Sequence, residues 1–273
     1  MIRRWRFSSC GRTIACAAAL TIAFAGTTLV GACRRSPPPL PPPTVLRVAA
    51  DGSIADALRE AASAFTRHLP NVSVEVVGAS GAELVERIRG GEAFDAVLLA
   101  DPRWIGALQA DGLVEPETPR PVAGNTLVLA IPSSSEVFLR SPHDLLDSRL
   151  QRIAMGDPDR EAVGGYARRV LESAGLWDAV RPRAVLFQSS AETLDAAKQG
   201  KVDGAFVFGS QMITELNGDV RIGLPWSLPE TIYYTAPLRA TKHPATTSSL
   251  VDFLAGEEFR NTLFHHGFQV DLG

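Results

Sequence analysis

Two serines stand where a chain can hold an anion without a positive side chain. Residues 46–50 (LRVAA) form a short apolar run with a β-branched valine, closed by Asp51-Gly52, and read as a buried strand. From Ser53 the spacing changes. Ile54, Ala57, Leu58, Ala61, Ala62 and Phe65 recur at the helical period, and Ser53 with Asp56 three residues later forms a capping box, which places Ser53 at the helix N-cap. The free N–H groups and positive dipole end of such a helix face the carboxyl edge of the strand, a geometry that holds an anion. Ser80 repeats the arrangement: a strand over residues 72–78 runs through Ala79-Ser80-Gly81 into a helix carrying Ala82, Leu84, Val85 and Ile88, stopped at Gly90-Gly91. Capping alone would also account for Ser53, so the surrounding chain has to decide between the two roles.

The elements that position these serines follow one rule. Residues 94–100 (FDAVLLA) read as a fully buried strand, turned by Asp101-Pro102 into a helix with Trp104, Ile105 and Leu108 that ends near Gly112. Consecutive strand–loop–helix units of this kind build a parallel α/β sheet, whose ligands sit beyond the carboxyl ends of the strands, where Ser53 and Ser80 fall. After the Pro-rich residues 116–121, a strand over 125–131 marks a crossing into a second lobe near residues 123–126. Strands at 152–155, 184–187 and 204–208 follow, with helices from Gly164-Gly165 to Gly175 and over 191–199. Residues 231–237 read as the strand returning to the first lobe, and 248–264 as one final amphipathic helix. Two lobes joined by two crossings enclose a cleft. Trp104, Tyr166 and Trp177 lie on apolar helical faces and are expected in the core.

Ahead of this body lies export machinery. Arg3, Arg4, Arg6 and Arg12 precede an uncharged apolar stretch over residues 13–30, so residues 1–32 read as a signal peptide. Val30-Gly31-Ala32-Cys33 resembles a bacterial lipobox, with Cys33 as the lipidated residue. Six prolines between residues 37 and 43 make 33–44 a polyproline tether of roughly 30 Å. The body has no cysteine, which excludes disulfides, thiol catalysis and cysteine–metal sites. Without the four signal arginines, 23 basic residues face 30 acidic ones, a formal −7, so nucleic acid is not the partner. The five histidines are isolated or adjacent, with no metal-ligand spacing, and neither a phosphate loop nor a nucleophile elbow occurs.

Several stretches together resemble a known family. Ala49-Ala50-Asp51-Gly52-Ser53, Gly78-Ala79-Ser80-Gly81, Ala100-Asp101-Pro102-Arg103-Trp104, Gly124-Asn125-Thr126-Leu127-Val128, Gly156-Asp157-Pro158, Gly164-Gly165-Tyr166-Ala167 and residues 203–209 occur in the order and spacing of the periplasmic molybdate-binding proteins of ABC importers. The resemblance implies a two-lobed type II periplasmic binding protein fold, each lobe a mostly parallel sheet flanked by helices, with lobe 1 over 45–124 and 235–273 and lobe 2 over 125–234, closing by hinge motion. It implies a monomeric, periplasmic, membrane-anchored lipoprotein that is not an enzyme, delivers molybdate or tungstate to ABC permease subunits, and needs no cofactor or protein-bound metal ion. The family holds its oxyanion by hydroxyls and backbone N–H groups. Carried over, the ligand-binding positions are Ser53, Ser80 or Gly81, the backbone near Val163 in the loop before Gly164, the backbone near Ser190 before the helix at Ala191, and Phe208. Three departures stand out: Phe208 lacks the family's tyrosine hydroxyl, Gly81 lacks a serine side chain, and Asp51-Gly52 enlarges the first loop. Asp51 is expected to point outward, accepting local N–H bonds. Two other classes remain open: the same fold for another oxyanion or organic anion, and a surface-anchored enzyme or interaction protein on this scaffold.

Overall fold

Alternation of apolar strand and amphipathic helix governs the described chain from its first element. The computed structural model describes residues 42–213 and 218–272, so the signal peptide, Cys33 and the tether up to residue 41 lie outside the described residues. In chain order the elements are β1 (Thr44–Asp51), α1 (Ala55–His68), β2 (Val72–Ala79), α2 (Gly81–Arg89), β3 (Ala96–Ala100), α3 (Pro102–Ala110), β4 (Arg120–Pro132), β5 (Ile153–Gly156), α4 (Ala162–Ser173), α5 (Trp177–Val180), β6 (Ala184–Phe187), α6 (Ser190–Lys198), β7 (Gly204–Phe208), α7 (Gly209–Ile213), β8 (Val220–Pro237), α8 (Pro244–Leu254) and α9 (Glu257–His265). Thr44, assigned to the tether, already pairs with Val72 in the sheet.

The sheet has eight strands in the order β2-β1-β3-β8-β4-β7-β5-β6. β1 pairs in parallel with β2 and β3, and β5 with β6 and β7. Between these two parallel groups run β4 and β8, antiparallel to each other and to their outer neighbours β7 and β3. Their pairing carries register shifts at Pro121/Ala123, Asn125/Leu127 and Leu129/Ala130, so residues 120–125 meet 231–235 and residues 127–132 meet 220–226. These shifts fall on the two antiparallel strands that lie between the parallel groups.

Burial follows the periodicity. Ile54, Ala57, Leu58, Ala61, Ala62 and Phe65 are all buried on α1, and Phe65 packs on Phe253 of α8 with ring centroids 5.4 Å apart. Full burial of a Leu or Phe side chain stabilises by about 1.5–3 kcal/mol, so this stripe holds α1 to the sheet and to the C-terminal helices. β3 is buried at every position, as its unbroken apolar run requires. The expected single helix over 248–264 is instead two, because Gly256 takes an extended backbone (ψ 176°) and acts as the N-cap of α9.

Candidate functional site

The first corrected element is the β1–α1 turn. Ser53 does not cap α1: the N-cap is Ile54, and no side chain caps there. Ser53 is turned inward by Asp51, which is 1 % exposed rather than pointing outward. Asp51 does make the expected local bond, accepting the Ser53 N–H at 3.1 Å on Oδ1, and it also accepts the Ser53 hydroxyl there at 2.6 Å. Ser53 Oγ lies 2.7 Å from the Tyr233 hydroxyl on β8. With the Ser53 proton on Asp51, the Tyr233 hydroxyl donates to Ser53, and Asn125 Nδ2 donates to Tyr233 at 3.3 Å. Asn125 Nδ2 also donates to Ser210 Oγ at 2.8 Å, and Asn125 Oδ1 accepts the Ser210 N–H. This chain of bonds runs from β1 through β8 and β4 to α7. It leaves Asp51 Oδ2 buried with no hydrogen-bond partner. Burial pushes the Asp51 carboxyl up, and the Ser53 bonds pull partly against it.

Across from this turn stands α4. Val163 belongs to its first turn rather than to a loop, and Gly164 lies against the Gly156 carbonyl, where any Cβ would collide with backbone. The first amides of a helix, Val163's among them, have no intrahelical partner. Glu161 occupies the N-cap without capping them, and it is 5 % exposed. Burial, and next the charge of Asp51, push its carboxyl up to about 9, with smaller contributions from Glu192, Asp157 and Glu83. Those acids lie in the first turns of α2 (Glu83) and α6 (Glu192), at the end of β1 (Asp51) and just after β5 (Asp157). The Ala82 N–H donates to the Arg160 carbonyl at 3.3 Å, which ties the start of α2 to the residue before Glu161.

The sequence-derived positions separate into two groups. Ser53 and Ser190 line one cavity of about 230 Å³, together with Ser210, Gln211 and His266. Ser190 is the first residue of α6 rather than the residue before it, and Ser189 caps that helix through the Glu192 N–H. Ser80, Gly81, Val163 and Phe208 do not line this cavity. Ser80 caps α2, accepting the Glu83 N–H at 3.3 Å. Gly81 has no room for a serine, since a Cβ there would run into the Trp104 indole. Phe208 is 1 % exposed in the core and packs on Tyr233 with centroids 6.2 Å apart. Asp51, Glu161, Tyr233, Asn125 and Ser210 were not singled out as site residues. Asn125 sat within a quoted motif, whereas Tyr233 reaches Ser53 across 180 positions of sequence, a pairing that only the register of β8 reveals.

A second hollow of about 630 Å³ opens beside α3 and α4, lined by Asp101, Arg103, Tyr166, Arg169, Thr231 and Tyr234 among others. Here Asp101, 1 % exposed, accepts the Arg103 N–H and Nε at 2.9 Å and Arg169 Nη1 at 3.0 Å.

The model of bacterial extracellular solute-binding proteins matches residues 46–269. The molybdate-binding protein ModA of Escherichia coli is 24 % identical over 99 % of this chain and 100 % of its own length. The periplasmic molybdate-binding protein of Azotobacter vinelandii superposes with a TM-score of 0.71 at 19 % identity, covering 82 % of this chain and 98 % of that one. The sulfate-binding protein SubI of Mycobacterium tuberculosis superposes with a TM-score of 0.72 at 15 % identity, covering 84 % of this chain and 88 % of that one.

Proposed function

The chain belongs to the bacterial extracellular solute-binding proteins, a non-enzymatic family, and from that premise we propose that it captures a small oxyanion of the molybdate and tungstate class in the cleft between its two parallel groups and hands it to an ABC permease. Residues 45–124 with 235–273 form one lobe and 125–234 the other, hinged at β4 and β8. Cys33 carries the lipid that holds the body at the membrane. The observation behind the reading is the gathering of polar groups from both lobes: Ser53 and Ser190 share one cavity, where the Ser53 hydroxyl has to turn from Asp51 to donate to a ligand, and α4 presents uncapped amides beside the start of α2. Ser80 keeps its own hydroxyl proton for a ligand while accepting the Glu83 N–H. The arginines nearest the cleft are already paired, Arg160 with Glu86 and Arg103 with Asp101, so the ligand charge is met by dipoles.

A thermal shift of the purified protein with molybdate, tungstate, sulfate, phosphate and chloride tests this reading. Ligand that binds only the folded state raises the melting temperature by mass action. A rise with one or more tetrahedral oxyanions and none with chloride is expected; no rise with any of them would overturn it.

A further inference from the structure

One buried amide sets the direction of the hydrogen bonds between β4, β8 and α7. Asn125, 1 % exposed on β4, accepts two backbone N–H groups on Oδ1, from Thr126 at 3.0 Å and from Ser210 at 3.3 Å. A backbone N–H only donates, so the other end of the Asn125 side chain is its NH2 group. The two hydrogens of that group go to Ser210 Oγ at 2.8 Å and to the Tyr233 hydroxyl at 3.3 Å. Asn125 therefore starts two relays. In the first, Tyr233 passes its hydrogen to Ser53 and Ser53 passes its own to Asp51 Oδ1, so the relay ends inside the protein on a carboxyl oxygen. In the second, Ser210 Oγ takes a hydrogen from Asn125 and keeps its own to give. Ser210 lines the cavity of about 230 Å³.

Resting on the oxyanion reading above, we infer that Ser210 is the hydroxyl donor this cavity holds ready for an anionic oxygen, and that Asn125 is the positioning residue that aims it. Gln211, the next residue, accepts the Phe208 N–H on Oε1 at 3.1 Å and donates from Nε2 to the Ser190 carbonyl at 3.2 Å. The start of α6 is thereby tied to the start of α7, and the Ser210 hydroxyl and the first residue of α6 border one space. Two acids also line it, Asp56 and Asp195; both are exposed, and each pairs with a cation of its own helix, Arg59 and Lys198. An oxygen that only accepts completes the second relay without any bond in it having to break. Ser53 has to leave Asp51 before it can do the same, whereas Ser210 is already set by the fold, which lowers the cost of ordering the site around a ligand.

Calorimetric titration of wild type, Ser210→Ala, Asn125→Ala and the double variant with molybdate, tungstate, sulfate and phosphate is the test. Ser210→Ala is expected to weaken the ion that wild type binds best by roughly tenfold or more, the loss typical of a hydrogen bond to a charged group. Asn125→Ala is expected to weaken it as well, but by less than about threefold further once Ser210 is alanine, because the two residues act through one donor. Wild-type affinity in Ser210→Ala would overturn the inference while leaving oxyanion capture intact. Losses that add in full would overturn the positioning role of Asn125, since a merely structural residue costs the same in both backgrounds. Silence of wild type toward all four ions would overturn both readings. Should Asn125→Ala fail to fold, Ser210→Ala alone still decides whether Ser210 is the donor.

Discussion

Two buried aspartates end neighbouring strands and have opposite surroundings. Asp101, following β3, and Asp51, ending β1, are each 1 % exposed. Asp101 brings its own cations: Arg103 Nε and Arg169 Nη1 both reach it, and Arg169 comes from α4, across the cleft. It holds this place with φ +69°, a value rare outside glycine, which its bonds to Arg103 offset. Asp51 has only the serine two residues on, and its outer oxygen has no partner. A buried acid that is fully paired from within stabilises the fold. One left half-paired destabilises it.

Substitutions can sharpen or break that contrast. The largest expected effect is on Asp101. Asp101→Ala strands two guanidiniums, and since both are partly exposed and can turn to water, a loss of about 2–3 kcal/mol in urea unfolding is expected, below the range for a wholly buried pair. Ser53→Ala comes next and is read in binding. If the Ser53 hydroxyl turns from Asp51 to the bound anion, removing that hydrogen bond to a charged group costs about 1.5–3 kcal/mol, or roughly ten- to a hundredfold in ligand affinity measured by calorimetry; an unchanged affinity would show that it stays on Asp51.

Glu161 gives a pH signature. Its carboxyl stays neutral in the folded state up to about 9 but ionises near 4.5 in the unfolded chain. The folded state therefore binds the extra proton between these values, and stability falls as pH rises from 4.5 to about 9. Melting temperatures across that window are expected to decline less in Glu161→Gln than in wild type; an equal decline would remove Glu161 as the cause. The smallest effect belongs to Arg160→Ala: its pair with Glu86 is exposed on both sides, and an unchanged melting temperature is expected.

The fold was legible because its signals are local. The stripe from Ile54 to Phe65 and the unbroken apolar run of β3 each declare element and buried face within a few residues. Around the proposed site, what was legible is local helix-start chemistry: Ser80 caps α2 and Ser190 opens α6. Ser53 misled because a serine followed by an acid three positions on also writes a capping box. The rival acceptor, Asp51, won because Tyr233 packs over the turn and holds the hydroxyl inward. Glu161 carries no local signature at all. It is buried where the start of α2 is tied to the residue before it by the Ala82–Arg160 bond, between parts of the chain far apart in sequence.

One measurement bears most directly on the contrast between the two acids: the urea unfolding midpoint of Asp51→Asn at pH 8. If the Asp51 charge is unbalanced within the fold, removing it is expected to leave the midpoint at or above that of wild type. A drop as large as that of Asp101→Ala would contradict this, placing Asp51 among the fold's own supports.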